Sequence, residues 1–326
     1  MTERQVGWAF VGASGWVESR FAPSVLAAGH RVVGAFGSSA ASSARFAEKF
    51  GGTAFGSLEE MLADDAVDAV WVASPTAQHP AHALAAANAG HAVLVEKPLA
   101  LDVEAARALA ADLSATGVLA GVGFQHRFNP AVTAMAEALA DGRIGTLSSL
   151  VIHHGVAGPA QPTAWRTDPA QSGGWSIADL GTHLLDAAQA LLGRLDFWAA
   201  RLSSPGRSLA VDDLSCVMLA SGEATVVVRA STGTPGPASY LEASGTQGWV
   251  RVTDFWTGGG RLTDSSGRDV EIPAADPYVA QVRAFSAAVN GAAWTGATVD
   301  DGVAVVEWHA AAREFSERRA AAAVPA

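Results

Sequence analysis

Over residues 1–122, short unbroken apolar runs alternate with alanine-rich stretches whose apolar positions recur every three or four residues. Unbroken runs predict strands buried on both faces, and the periodic stretches predict the crossover helices that cover them. The strands are expected at 7–11, 31–36, 69–73, 92–96 and 118–124. Helix ends can be read between them. Ser57 and Glu60 stand at capping-box spacing, Thr76 precedes a Gln-His-Pro helix start, and Gly51, Gly90 and Gly117 suit C-terminal stops.

Beyond Phe124 the pattern changes. Asn129 and Pro130 fit the N-cap and first position of a helix running to about Ala140, and 147–154 follows as a strand. Residues 158–174, rich in proline and glycine, predict a long ordered loop of the kind that carries function. From 195 to 270 strand-like runs such as SCVMLA, ATVVVRA and GWVRVTDF are separated by glycine and serine turns, which predicts an open, mostly antiparallel sheet. Two helices, 278–289 and 300–318, close the chain. The expectation is an α/β protein of two packed domains, a doubly wound parallel domain over 1–122 and an α/β domain over 123–326, with a cleft between them.

Composition narrows the partners. A chain of 326 residues is long enough for two domains of about 150 residues each. It holds no apolar run of about 18 residues that could span a bilayer, and no basic leader precedes the first apolar run, so a cytoplasmic, membrane-independent protein is expected. A net charge of −11 disfavours nucleic acid, whose backbone is bound by clustered cations. The single cysteine, Cys216, excludes an internal disulfide and a multi-cysteine zinc site, and its strand-like setting favours a buried structural thiol over a nucleophile. His79 and His82 lack further ligands at matching spacing, and no metal is expected.

Four stretches carry candidate chemistry. WAFVGASGWVESRF follows the first strand and opens the first helix. Gly12 suits a tight turn before a helix N-terminus that can donate to a pyrophosphate, although Ser14 and Val17 replace the later glycines of G-x-G-x-x-G. Nucleotide binding and a plain strand-to-helix turn both remain open on this stretch alone. After the second strand, AFGSSAASSARF offers no carboxylate for a ribose 2′-hydroxyl, which favours NADP over NAD; Arg45 is either a partner for the 2′-phosphate or a solvated helix residue. In VEKPLALD, Glu96 and Lys97 end the fifth strand, as either a structural ion pair or a proton-transfer site. In SIADLGTHLLD, Asp179 and His183 fall four residues apart on one predicted helix face, with Asp186 three further on.

Together with VASPTAQH at 72–79 and WRTDPAQSGGWSIADLGTHLLD at 165–186, these stretches resemble the Gfo/Idh/MocA oxidoreductase family over nearly the whole chain. The resemblance implies an N-terminal Rossmann domain and a C-terminal domain whose open sheet joins a dimer or tetramer. It implies catalysis by Lys97, Asp179 and His183, with Pro98 in a cis peptide, acting on a sugar-like substrate. Gly12, Ala13, Ser14, Gly15 and Trp16 would line the cofactor phosphates, with Gly37, Ser38 and Ser42 near the adenosine ribose. One reductase subgroup places an arginine where Ser42 stands. Ala73, Ser74, Pro75, Thr76, Gln78, His79, Glu96, Lys97, Gln125, Trp165, Arg166 and Tyr278 would complete the cofactor surroundings. Substrate contacts fall on Lys97, His154, Arg166, Trp175, Asp179 and His183, with Trp175 read equally as core or as a stacking face. NADP is the preferred cofactor, with NAD possible. Two other activities share such a chain: a non-catalytic NADP-binding regulator and an NAD-dependent glycosidase.

Overall fold

The computed structural model describes residues 4–158, 167–205, 209–233 and 239–322, and the chain divides into two units, 1–125 with 278–303 and 126–277 with 304–326. In the first unit, β1 (Gly7–Val11), β2 (Arg31–Phe36), β3 (Thr53–Ala54), β4 (Ala69–Val72), β5 (Ala92–Val95) and β6 (Ala120–Val122) form a parallel sheet in the order β3-β2-β1-β4-β5-β6. The crossovers carry α1 (Ala22–Ala27), α2 (Ala40–Phe50), α3 (Leu58–Leu62), α4 (His79–Asn88) and α5 (Val103–Thr116). Every residue of β1 and β4 is buried, which is why these strands read as unbroken apolar runs.

Aromatic side chains fill the core of this unit. Phe21 stacks on Trp71 with ring centroids 4.3 Å apart, Trp8 lies 5.7 Å from Trp71, and Phe285, from the helix Pro277–Val289, closes on Trp8 at 5.4 Å. Burying each such ring contributes about 1.5–3 kcal/mol. The Trp8 indole N–H, which burial would otherwise orphan, donates to Ser286 Oγ at 3.1 Å.

The sequence pattern located five of these six strands. It missed β3, since two exposed residues leave no periodicity to read. The expected capping box at Ser57 is offset by one residue: Ser57 Oγ accepts from the Glu60 N–H, but the Glu60 carboxylate accepts from Gly56 instead of Ser57. A box does close at Ser39 and Ser42, on the start of α2.

The second unit begins with α6 (Pro130–Ala140), capped by the Asn129 side chain on the Ala131 N–H. Its sheet comprises β7 (Leu147–Gly155), β8 (Asp196–Ser203), β9 (Leu214–Ser221), β10 (Ala224–Ser231), β11 (Tyr240–Gly245), β12 (Gly248–Thr253), β13 (Gly260–Asp264) and β14 (Asp269–Ile272), in the order β14-β13-β12-β11-β7-β10-β9-β8. β7 and β10 run parallel; the other neighbours are antiparallel. Burial alternates along β9 and β10, and the covered face packs on α6 and α7 (Thr182–Leu192). The alternation places Cys216 on the less covered face, so it is half-buried where a buried thiol was expected. Burial still pushes the thiol pKa up, away from thiolate chemistry.

Candidate active site

At the end of β1 the chain turns through Gly12 at φ +109°, with its N–H donating to the Phe36 carbonyl at 2.8 Å. A Cβ here would stand 2.6 Å from the Ala73 carbonyl oxygen, so the close approach of two strand ends admits only glycine. Ala13 is buried, Ser14 and Gly15 are exposed, and nothing lies within 4 Å of where a Gly15 Cβ would be. Trp16 is 54% exposed, and the Arg20 guanidinium lies 5.8 Å from its ring centroid. A π-helical turn, Val17–Phe21, then leads into α1.

The end of β2 lies beside this turn. Gly37 is buried and donates to Ser43 Oγ at 2.9 Å, and Ser38 is exposed. Ser42 is 8% exposed; its hydroxyl is engaged with Ser39 in the cap of α2. Arg45 is not merely solvated: Nε donates to Glu18 Oε1 at 2.8 Å and Nη2 donates to the Ala13 carbonyl at 3.1 Å. The Arg45 guanidinium is thus held against the glycine turn by a carboxylate from the following helical turn.

β4 and β5 deliver the next group. Ala73 and Ser74 are half-buried, Pro75 and Gln78 are exposed, and Thr76 is buried. Glu96 and Lys97 follow β5 directly, and the Lys97–Pro98 peptide is cis, as the family resemblance implied. Glu96 Oε1 accepts from the Trp71 indole N–H at 3.0 Å, and a Cβ on Gly123 would come within 2.6 Å of the same oxygen. Burial pushes the Glu96 carboxyl up to about 7, against the opposing pull of the Lys97 charge. Gln125 is 4% exposed, and its Oε1 has no hydrogen-bond partner among the described residues. Tyr278 is half-buried, with its ring 5.6 Å from Phe21. The glycine cradle, the open ground at Gly15 and the orphaned Gln125 carbonyl together fit a dinucleotide laid over the carboxyl ends of parallel strands.

In the second unit Asp179 sits in a π-helical stretch, Ile177–Gly181, that continues into α7, where His183 is 5% exposed. Asp186 is fully buried and receives a forked pair from Arg127, Nε to Oδ1 at 3.0 Å and Nη2 to Oδ1 at 2.7 Å. That fork ties the turn Gln125–Phe128 to α7. The next residue back, His126, meets His183 edge-on at 5.3 Å.

An indole that no sequence motif signalled, Trp256, gathers the histidines. His154 lies flat on it at 3.9 Å and 10°, His126 stands 4.4 Å away, and His183 meets it edge-on at 5.7 Å. His154 is 7% exposed, and neither ring nitrogen has a hydrogen-bond partner among the described residues. Burial, and secondarily the neighbouring His153, push its pKa down to about 4, so the ring is neutral with two polar atoms to offer a ligand. Spacing could not have found Trp256 or His126, because both reach α7 from distant segments of the chain.

Trp175, read from sequence equally as core or as a sugar-stacking face, is 3% exposed and belongs to the core. Its N–H and that of Ile177 donate to the two oxygens of Asp212, at 3.2 and 2.8 Å, while Arg313 donates to the Gly173 carbonyl at 2.7 Å. The entry to the helix of Asp179 and His183 is therefore gripped through its backbone, at Gly173, Trp175, Ile177 and also Ser176, whose N–H donates to the Asp212 carbonyl at 2.9 Å. Trp165 and Arg166 lie outside the described residues. Among the described residues, no group of three or more His, Cys, Asp or Glu could hold a metal ion, and no helix is long and apolar enough to cross a membrane.

Residues 6–124 match the model of an oxidoreductase family with an NAD-binding Rossmann fold, and residues 132–251 match the GFO/IDH/MocA C-terminal domain. The chain is 31% identical over 306 residues to the 1,5-anhydro-D-fructose reductase of Ensifer adhaerens, covering 91% of this chain and 92% of that one. It is 30% identical over 308 residues to the D-xylose 1-dehydrogenase (NADP(+)) 2 of Haloferax volcanii, with 92% and 94% covered. A solved structure of GenD2 from gentamicin A biosynthesis in complex with NAD superposes with a TM-score of 0.85 at 28% identity, over 97% of this chain and 95% of the other.

Proposed function

The chain belongs to the Gfo/Idh/MocA family of oxidoreductases, enzymes that act on CH–OH groups with a nicotinamide cofactor, and we propose that it transfers a hydride between nicotinamide and a sugar or sugar-like carbonyl or alcohol carbon. One observation carries the reading. β1, β4 and β5 pair in register through Val11, Val72 and Val95, so the Gly12 turn, the Ser74 loop and Lys97 leave adjacent strand ends on one rim. Sugar-acting relatives support the substrate class.

When bound, the nicotinamide supplies or accepts the hydride. The chain's residues do the rest. Backbone N–H groups of the turn from Gly12 to Trp16 hold the pyrophosphate, while Gly37, Ser38, Ser42 and Arg45 border the adenosine ribose. The absence of a carboxylate between Ala35 and Phe46 supports NADP over NAD. Ala73 to Gln78, Glu96, Gln125, Trp165, Arg166 and Tyr278 complete the cofactor surroundings. Lys97 and His183 handle the hydroxyl proton, giving it to the carbonyl oxygen in reduction and taking it from the alcohol in oxidation. Asp179 orients, and His154 and Arg166 bind sugar hydroxyls.

Trp198 and Trp249, 66% and 41% exposed on the eight-stranded sheet, support assembly into a dimer or tetramer through that sheet. Sedimentation of the parent and of Trp198→Glu tests this.

The reaction itself is tested by incubating the protein with NADP or NAD, in both redox states, and a panel of sugars, following nicotinamide absorbance and glycosidic cleavage together. Net oxidation or reduction without cleavage is expected. Cleavage without net absorbance change would identify a glycosidase instead, and cofactor binding without turnover a regulator.

A further inference from the structure

His79 opens α4, and both its ring nitrogens are committed to backbone. Nδ1 lies 2.9 Å from the Pro98 carbonyl oxygen and Nε2 lies 2.8 Å from the Ser74 carbonyl oxygen. The ring is 2% exposed. The direct cofactor contact that the family resemblance implied for His79 therefore has no nitrogen left to make it.

The two carbonyls stand in informative places. Ser74 follows β4 and Pro98 follows β5, and these strands are neighbours paired through Val72 and Val95. Pro98 is joined to Lys97 by the cis peptide. The imidazole thus bridges the segment that carries the lysine to the loop beside it. A second histidine secures the same loop, with His82 Nδ1 2.9 Å from Ser74 Oγ. Burial pushes the His79 pKa down to about 4, with the charges of His82 and Lys97 working in the same direction, against the two facing carbonyls, which favour the protonated ring. Only the protonated ring donates to both carbonyls at once; the neutral ring donates to one of them and turns a lone pair toward the other.

We propose that His79 is a positioning residue for Lys97, setting where the lysine main chain, and hence the root of its flexible four-carbon stem, stands on the strand rim. The proposal rests on the reading of Lys97 as a proton-handling group. Misplacing a reacting group by about 1 Å can cost about 100-fold in rate, so a single backbone tether is enough to matter.

Four proteins test it: His79→Ala, His79→Gln, Lys97→Ala and the double variant His79→Ala/Lys97→Ala, with kcat measured alongside cofactor dissociation constants from tryptophan fluorescence. His79→Ala is expected to lower kcat about 10- to 100-fold while the cofactor dissociation constant moves less than about threefold. His79→Gln, whose amide can donate to one carbonyl, is expected to recover most of the loss. In the Lys97→Ala background the His79 change is expected to cost no more than about twofold, because its effect runs through the missing ammonium. Unaltered kcat in His79→Ala, a parallel loss of cofactor affinity, or a multiplicative double variant would each overturn the positioning role while leaving Lys97 in place. Full turnover by Lys97→Ala would overturn the reading of the lysine and this proposal together. If His79→Ala does not fold, the same comparisons are made with His79→Gln, for which a moderate loss confined to kcat is expected and parental kcat would overturn the proposal.

Discussion

His154 lies flat against Trp256, with ring centroids 3.9 Å apart and planes 10° from parallel, and it carries two buried nitrogens without partners among the described residues. A buried polar ring is costly unless something completes its hydrogen bonds, and a sugar hydroxyl would. His154→Phe keeps the stack and removes both nitrogens. The expected outcome is a rise of about 3- to 10-fold in KM for the sugar, the worth of one hydrogen bond, with a thermal midpoint of the ligand-free protein that is not lowered. Steady-state kinetics and a thermal melt check both parts; an unchanged KM would place His154 outside the substrate site.

The Arg127–Asp186 fork has the opposite character, because both partners are satisfied by each other and Asp186 is wholly buried. Removing one partner leaves an uncompensated charge. Asp186→Ala is expected to destabilise the protein by about 3–5 kcal/mol in urea unfolding. A loss below about 1 kcal/mol would mean that the pair behaves as a surface ion pair.

Glu96 makes stability depend on pH. Its carboxyl is raised from 4.5 to about 7 in the fold, so its favourable contribution is complete below about 4.5 and is lost as pH rises through 7. The loss is on the order of 3 kcal/mol when ionisation is complete. Glu96→Gln should flatten the decline in urea midpoint between pH 5 and pH 8. An equally steep decline in the variant would assign it to another group.

Arg45, fixed by Glu18 against the glycine turn, offers a test of the proposed preference for NADP. Arg45→Ala is expected to weaken NADP binding about tenfold, the worth of a charge-assisted hydrogen bond, and to leave NAD binding within about twofold. Titration calorimetry with both cofactors separates the effects. Equal losses would remove Arg45 from recognition of the 2′-phosphate.

What could be read from the sequence was whatever local pattern encodes. β1 and β2 fall where their apolar runs predict, Asn129 and Pro130 start α6 as their chemistry requires, and Gly12 adopts the positive φ that its turn implied. Pairings between distant segments carry no such pattern. Asp186 was legible only as a helix neighbour of His183, whereas its partner, Arg127, precedes α6. Trp256 and His126 reach the histidine cluster through the fold alone. Trp175 sat within a recognisable motif, but its direction, inward, was decided by the grip of Asp212 on the backbone. The same holds for His79, whose partners are carbonyls and so leave no trace in residue identity.

The most direct measurement is single-turnover hydride transfer, followed by nicotinamide absorbance after rapid mixing, in the parent and in Lys97→Ala with cofactor saturating. A rate at least about 100-fold lower in the variant, the lower end of the range for loss of a general acid–base group, with a cofactor dissociation constant within about threefold, is predicted. Transfer at the parental rate in Lys97→Ala would contradict it.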